Sequence, residues 1–99
     1  MTRYDFEATL YAWDARTDTW IFADVPFDVA DEIEDAQHGP RRGFGAVKVE
    51  VAIGATTWRT SIFPSKERRT FVLPVKRAVL KAESLAPGDT PRVGLTPLT

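Results

Sequence analysis

Asp5 and Glu7 stand two apart in an alternating stretch, so a strand would place both carboxylates on one face. Paired carboxylates can divide general acid and general base work when their surroundings push their pKa values apart. Nothing in the sequence sets a nucleophile or an acid opposite them. His38 is the only histidine and sits in a Gly-Pro segment with no cysteine and no second histidine nearby, which gives a zinc ligand set or a general base no support. Ser61 and Ser65 lack the flanking glycines of a nucleophile elbow, and no glycine-rich run could cradle a phosphate. These absences lead to an expectation of no catalytic residue, no metal and no cofactor.

Two other groups of residues could bind. Lys66, Arg68, Arg69, Lys76, Arg77 and Lys81 place six bases within sixteen residues, with Glu67 the one acid among them. Such a segment can contact phosphates or an acidic partner, and Arg68, Arg69, Lys76, Arg77 and Lys81 are the candidates for it. The competing reading is a solvated face, or a face answered by the acids Asp24, Asp28, Asp31, Glu32, Glu34 and Asp35, within the chain or across a dimer. The second group is aromatic. Trp13, Trp58, Phe63 and Phe71 could line a ligand pocket or stack on a flat ligand, with Tyr11 beside Trp13. Strand-spaced aromatics are more often core, which is the expectation for Trp20 and Trp58, whereas Trp13 beside a polar turn is the one expected to be exposed.

These side chains must be carried by a β-rich framework. Tyr4, Phe6, Ala8, Leu10 and Ala12 alternate with polar residues, which predicts one strand from Arg3 to Trp13. Asp14 to Asp18 reads as a turn, and Thr19 to Ala23 as the strand that completes a hairpin. Asp28 is a good N-cap, so a helix is predicted from there through Ala36 or Gln37, with Gly39 as its C′ residue and Pro40 forbidding continuation. Phe44 to Gly54, with Val47, Val49, Val51 and Ile53 on one face, predicts a long strand, and Thr56 to Phe63 its hairpin partner across Gly54. Thr70 to Leu73 reads as a short strand feeding a helix from Pro74 to Ala82. Arg92 to Leu95 closes the set between Pro91 and Pro97. No segment repeats another.

The expected fold is therefore mainly β of the α+β class, a small six-stranded, strongly twisted sheet or barrel with two short helices, and residues 1–99 form one unit. The net charge of −1 argues against a surface that is cationic throughout. Without cysteines, an N-terminal signal pattern or an apolar run of about 20 residues, the chain reads as cytoplasmic with no membrane partner.

Phe6-Glu7-Ala8-Thr9-Leu10, Trp20-Ile21-Phe22 before Val25-Pro26, Thr60-Ser61-Ile62-Phe63-Pro64, the run from Phe71 to Ala82 and Leu85-Ala86-Pro87-Gly88-Asp89 together resemble the DUF1905 family of small bacterial β-barrel domains. Ser84 stands where such domains often carry a glycine, and Pro91 where a strand residue is usual. The resemblance implies a fold and assigns no chemistry. The functional expectation is thus a non-catalytic binding or interaction module, a homodimer. Its alternatives are a nucleic-acid-binding domain that uses the 66–81 segment and a barrel that encloses a small apolar ligand.

Overall fold

Val47, Val49, Val51 and Ile53 are all buried and lie on one side of β4 (Val47–Ile53), as β-branched residues at a spacing of two require. Gly54, at φ 58°, makes the tight turn into β5 (Thr56–Ser65). The two strands pair in register from Val47↔Ile62 to Ile53↔Thr56. The structure, a computed structural model, describes residues 2–15, 18–36 and 45–98. The expectations for His38, Gly39 and Pro40, and for Phe44 as a strand residue, fall outside the described residues.

Around this hairpin stand β1 (Tyr4–Glu7), β2 (Tyr11–Ala15), β3 (Asp18–Asp24), α1 (Phe27–Ala36), β6 (Thr70–Pro74), α2 (Arg77–Ala82) and β7 (Arg92–Pro97). The seven strands form one sheet in the order β1-β7-β4-β5-β6-β3-β2, and every pairing is antiparallel. The outermost strands, β1 and β2, are consecutive in the chain and separated by residues 8–10 alone. A link that short spans little more than about 10 Å. The two ends of the sheet must therefore approach each other, and the sheet curls into a half-barrel. Phe6, Leu10, Val25, Ile62, Leu73, Val93 and Leu95 are among the side chains packed in its concave core.

The fold class matches the expectation, with one strand divided. Phe6, Ala8 and Leu10 are buried in sequence as the alternation requires, but the backbone between Glu7 and Tyr11 leaves the ladder and bonds to the 88–91 turn. Ala8 N–H donates to Pro91 O at 3.2 Å, Leu10 N–H to Asp89 O at 2.8 Å, and Gly88 N–H to Leu10 O at 2.8 Å. Past this corner the alternation lapses and Ala12 is exposed. Pro91 does not weaken the last strand, because its carbonyl is the acceptor at the corner and β7 pairs with β1 from Arg92 to Leu95 and with β4 from Val93 to Pro97.

The helices begin elsewhere than their residues predict. Asp28 is within the first turn of α1, its side chain accepting the Val29 N–H at 2.9 Å, and the first helical bond runs from Ala30 N–H to Pro26 O at 2.8 Å. Pro74 does not open α2. It ends β6 opposite Phe22, and Lys76, extended at ψ 158°, is the N-cap. At the other end of α2, Ser84 N–H donates to Lys81 O and Leu85 N–H to Leu80 O, the paired bonds of a Schellman motif with Ser84 as its C′ residue at φ 53°. That conformation suits glycine and strains a side chain by about 1–2 kcal/mol. Ser84→Gly is therefore expected to raise stability by up to about 1 kcal/mol, read as a higher urea midpoint. A lower midpoint would show that the serine is stabilised in another way.

A relation absent from the sequence reading joins the two halves. Val25 N–H donates to Phe71 O at 3.0 Å, and Val75 N–H donates to Ile21 O at 2.9 Å. A shift of 50 residues carries Val25 onto Val75 and Ile21 onto Phe71, so these are one bond seen twice. The β3–β6 ladder, Phe22↔Pro74, Ala23↔Leu73 and Asp24↔Val72, is centred on the Ala23–Leu73 pair. β3 leads into α1 and then β4, β6 leads into α2 and then β7, and β4 pairs with β7. The sheet is pseudo-two-fold, with β5 on one side matching β1 and β2 together on the other. Pro64 lies in β5 beyond Ile62, its last residue paired to β4, so the missing proline N–H costs no bond on that side.

Candidate functional site

Alternation along β3 turns Ala23 into the core and leaves Trp20, Phe22 and Asp24 on the convex side, where Tyr11 and Trp13 of β2 stand opposite Phe22 and Trp20. Phe22 is the hub of this row. Its ring lies 6.3 Å from that of Trp20 in a stacked arrangement, 6.3 Å from that of Trp13 and 6.2 Å from that of Tyr11. Trp13 is 54% and Trp20 49% exposed. The expectation that Trp20 is a core residue is thus corrected. Its partner across the ribbon is Trp13, and the inward positions of β3 go to smaller side chains. The exposure of Trp13 is as expected.

One end of the row is fixed by a charged network. Tyr11 Oη donates to Asp24 Oδ1 at 2.7 Å, while Arg68 Nε and Nη2 both donate to Asp24 Oδ2, at 2.9 and 2.7 Å. The guanidinium lies 4.4 Å from the centre of the Tyr11 ring, a cation–π contact. The β5–β6 loop aims Arg68 there. Ser65 Oγ accepts the Arg68 N–H at 3.2 Å, Ser65 O accepts the Arg69 N–H at 2.8 Å, and Arg69 turns the chain at φ 60°. Burial pushes the Tyr11 phenol up to about 12, with the Asp24 hydrogen bond acting in the same direction. The phenol therefore stays a neutral donor well above physiological pH. The hydrogen bond to Asp24 likewise raises the Arg68 guanidinium above its ordinary value. Trp13, Phe22 and Arg68 border a groove of about 350 Å³ that also reaches Glu67 and Val72.

The other end is cationic in a different way. Lys76 and Arg77 of α2 line a groove of about 520 Å³ with Thr19, Trp20, Ile21, Val75 and Leu80. Val75 is brought there by its hydrogen bond to Ile21, so the β3–β6 ladder is what sets α2 beside Trp20. Lys76 also borders a smaller groove of about 210 Å³, where Trp20 meets Arg59 and the edge of Trp58.

The structure divides the basic candidates into three places. Arg68 is held by Asp24 beside Tyr11. Arg69, with Lys66, borders a groove of about 240 Å³ whose opposite wall carries Asp31 and Glu34, so this part of the basic segment does face the acidic helix α1. Lys76, Arg77 and Lys81 are exposed at α2. The aromatic candidates are divided as well. Trp58 and Phe71 belong to the core and Phe63 is 42% exposed, so the three do not ring one pocket. Their positions in β5 and β6 explain this, since residues 58 and 63 have opposite parity on one strand. Asp5 of β1 is paired with the exposed Arg3 at 3.0 Å, and Glu7 borders another groove, of about 360 Å³, with Phe27 and Arg68. His38 is outside the described residues. Among the described residues, no three His, Asp or Glu side chains gather to hold a metal ion, and no helix is long and apolar enough to cross a membrane.

The sequence reading missed the Tyr11–Asp24–Arg68 network and the joining of Trp20 to Lys76 and Arg77. The equal parity of Trp20, Phe22 and Asp24 was the available signal for one shared face. No curated protein matches the chain. The family model described as domain of unknown function (DUF1905) matches residues 6–95, nearly the whole length: the chain belongs to the DUF1905 family.

Proposed function

We propose that this protein is a non-catalytic binding module whose contact face is the convex side of the β2–β3 ribbon. One observation carries the reading: two half-exposed indoles, Trp13 and Trp20, flank the Phe22 ring on a face where Tyr11 is already fixed by Asp24 and Arg68. Exposed aromatic side chains on a rigid strand pair supply large contact area at little cost in conformational entropy, the property of binding hot spots. The alternative of an enclosed apolar ligand has less support, since small barrels are filled by their own side chains and both Trp58 and Phe71 contribute to that filling.

The expected homodimer belongs to the same test. β2 ends the sheet with β3 as its strand partner, and such edges take further strands. Native mass spectrometry of the gently purified protein is expected to show either a retained ligand mass or a second subunit. Either is expected to be lost in the Trp13→Ala/Trp20→Ala variant, whose substitutions are on the surface. Identical spectra for the two proteins would overturn the assignment of the face.

A further inference from the structure

We infer that this face takes single-stranded nucleic acid, with unpaired bases stacking on Trp20 and Trp13 and phosphates held by Lys76 and Arg77. The inference rests on the proposed binding face and specifies its ligand.

Charge is the first argument. The largest of the grooves described above is lined by an exposed indole together with Lys76 and Arg77, with no carboxylate among the described residues of its lining. Of the described cations near the ribbon, Arg68 is engaged by Asp24 at 2.7 Å and Arg59 by Glu50 at 3.5 Å. Lys76 and Arg77 have no ion pair among the described residues, so they are the cations open to an external anion. An acidic peptide could satisfy the charges, but it would leave the indole faces without a flat partner. A polyanion that carries rings uses both.

Geometry is the second argument. Trp13 and Trp20 are cross-strand partners, and each ring centre lies 6.3 Å from that of Phe22. A mononucleotide would cover one of them. A strand with successive unpaired bases can cover both while its backbone passes Lys76 and Arg77 at the Trp20 end. A duplex cannot offer its bases to indoles on a convex sheet face, because they are stacked on one another. Base stacking on aromatic side chains together with backbone-tracking cations is the general means of binding single strands without sequence preference. The overall charge of −1 does not oppose this, since the acids of α1 border a different groove.

The test is fluorescence anisotropy of a labelled oligothymidylate of about 15 nucleotides, titrated with the full chain at low and at about 0.15 M salt. A duplex of the same length and inorganic polyphosphate serve as competitors. Quenching of tryptophan emission, affinity above that for either competitor, and a log–log salt slope near −1.4 are expected, from two phosphates at about 0.7 each for a single strand. Trp20→Ala is expected to weaken binding about tenfold. Lys76→Glu/Arg77→Glu is expected to remove the salt dependence along with most of the affinity. Circular dichroism checks that each variant is folded. Binding of polyphosphate as tight as that of the oligonucleotide, or full affinity in Trp20→Ala, would reduce the site to a cationic patch and overturn the inference. So would no binding at low salt. If that last result accompanies a tryptophan-dependent mass or subunit in native spectra, the ligand class is wrong and the face stands. If both are missing, both readings fall.

Discussion

Leu73→Ala is expected to lower the free energy of unfolding by about 3 kcal/mol, the middle of the range for emptying a buried leucine site. Leu73 is fully buried, and it sits on the central rung of the β3–β6 ladder, where its partner across the strands is Ala23. An alanine opposite another alanine leaves a gap that neither strand can fill, so the lost apolar transfer and the unfilled volume add. Marginal domains have about 5–15 kcal/mol in total, which makes this a large fraction. Urea unfolding followed by tryptophan fluorescence reads the change. A loss below about 1 kcal/mol would mean that the two halves close over the gap, against the dense packing found in protein interiors. The partly buried Leu80 on α2 offers a contrast, because its side chain reaches solvent and its truncation leaves less empty volume.

The second large effect is polar. Thr70, the buried polar residue of the described core, donates its hydroxyl to Val25 O at 2.6 Å and so ties the start of β6 to the segment that leads into α1. Thr70→Val keeps the shape and removes the donor. The carbonyl then stays buried without it, at a cost of about 1–3 kcal/mol. The location of the loss is more telling than its size. Val25 N–H is held by Phe71 O, so the same residue is gripped from β6 at both backbone groups. Hydrogen exchange in Thr70→Val is expected to quicken in α1 while the β4–β5 amides keep their protection. Uniform quickening would mean that the hydroxyl supports the whole sheet rather than the β3–α1 junction. Unchanged stability would mean that another donor reaches the carbonyl.

Much of this framework was legible in the residues. The period of two through Val47, Val49, Val51 and Ile53 fixes a strand face without any tertiary information, and so does that of Phe6, Ala8 and Leu10. Turn chemistry was readable too: Gly88 turns the chain at φ 97°, and Asp89 accepts the Ala86 N–H at 2.9 Å, as an aspartate that caps its own turn does. What a single sequence could not supply was pairing. Trp20 reads as core until it is known to stand opposite Trp13. Pro74 reads as the opening of a helix until Phe22 is known to pair with it. The Arg68–Asp24 pair spans 44 residues and exists only because β6 lies beside β3. At the shift of 50 that relates the two halves the sequence keeps four identities, Val25 with Val75, Val29 with Val79, Ala36 with Ala86 and Arg42 with Arg92. The four valines are buried, so at these positions the two halves meet the same packing demand. Four scattered identities at one shift are below what inspection for repeats can detect.

Among the described strands, the one made first, β1, pairs with the one made last, β7. Tyr4 faces Leu95 in the β1–β7 ladder, and the β4–β7 ladder likewise waits for residues 93–97. During synthesis the β4–β5 hairpin can form as soon as it emerges, while β1 and its hydrophobic Phe6 have no strand partner until β7 has emerged. Closure of so long a loop makes the final step slow relative to local hairpin formation. A nascent chain halted before β7 is thus expected to hold an open sheet whose β4 edge is unprotected, with β1 left as an unpaired strand, the state in which this sequence is most prone to pair with another copy of itself.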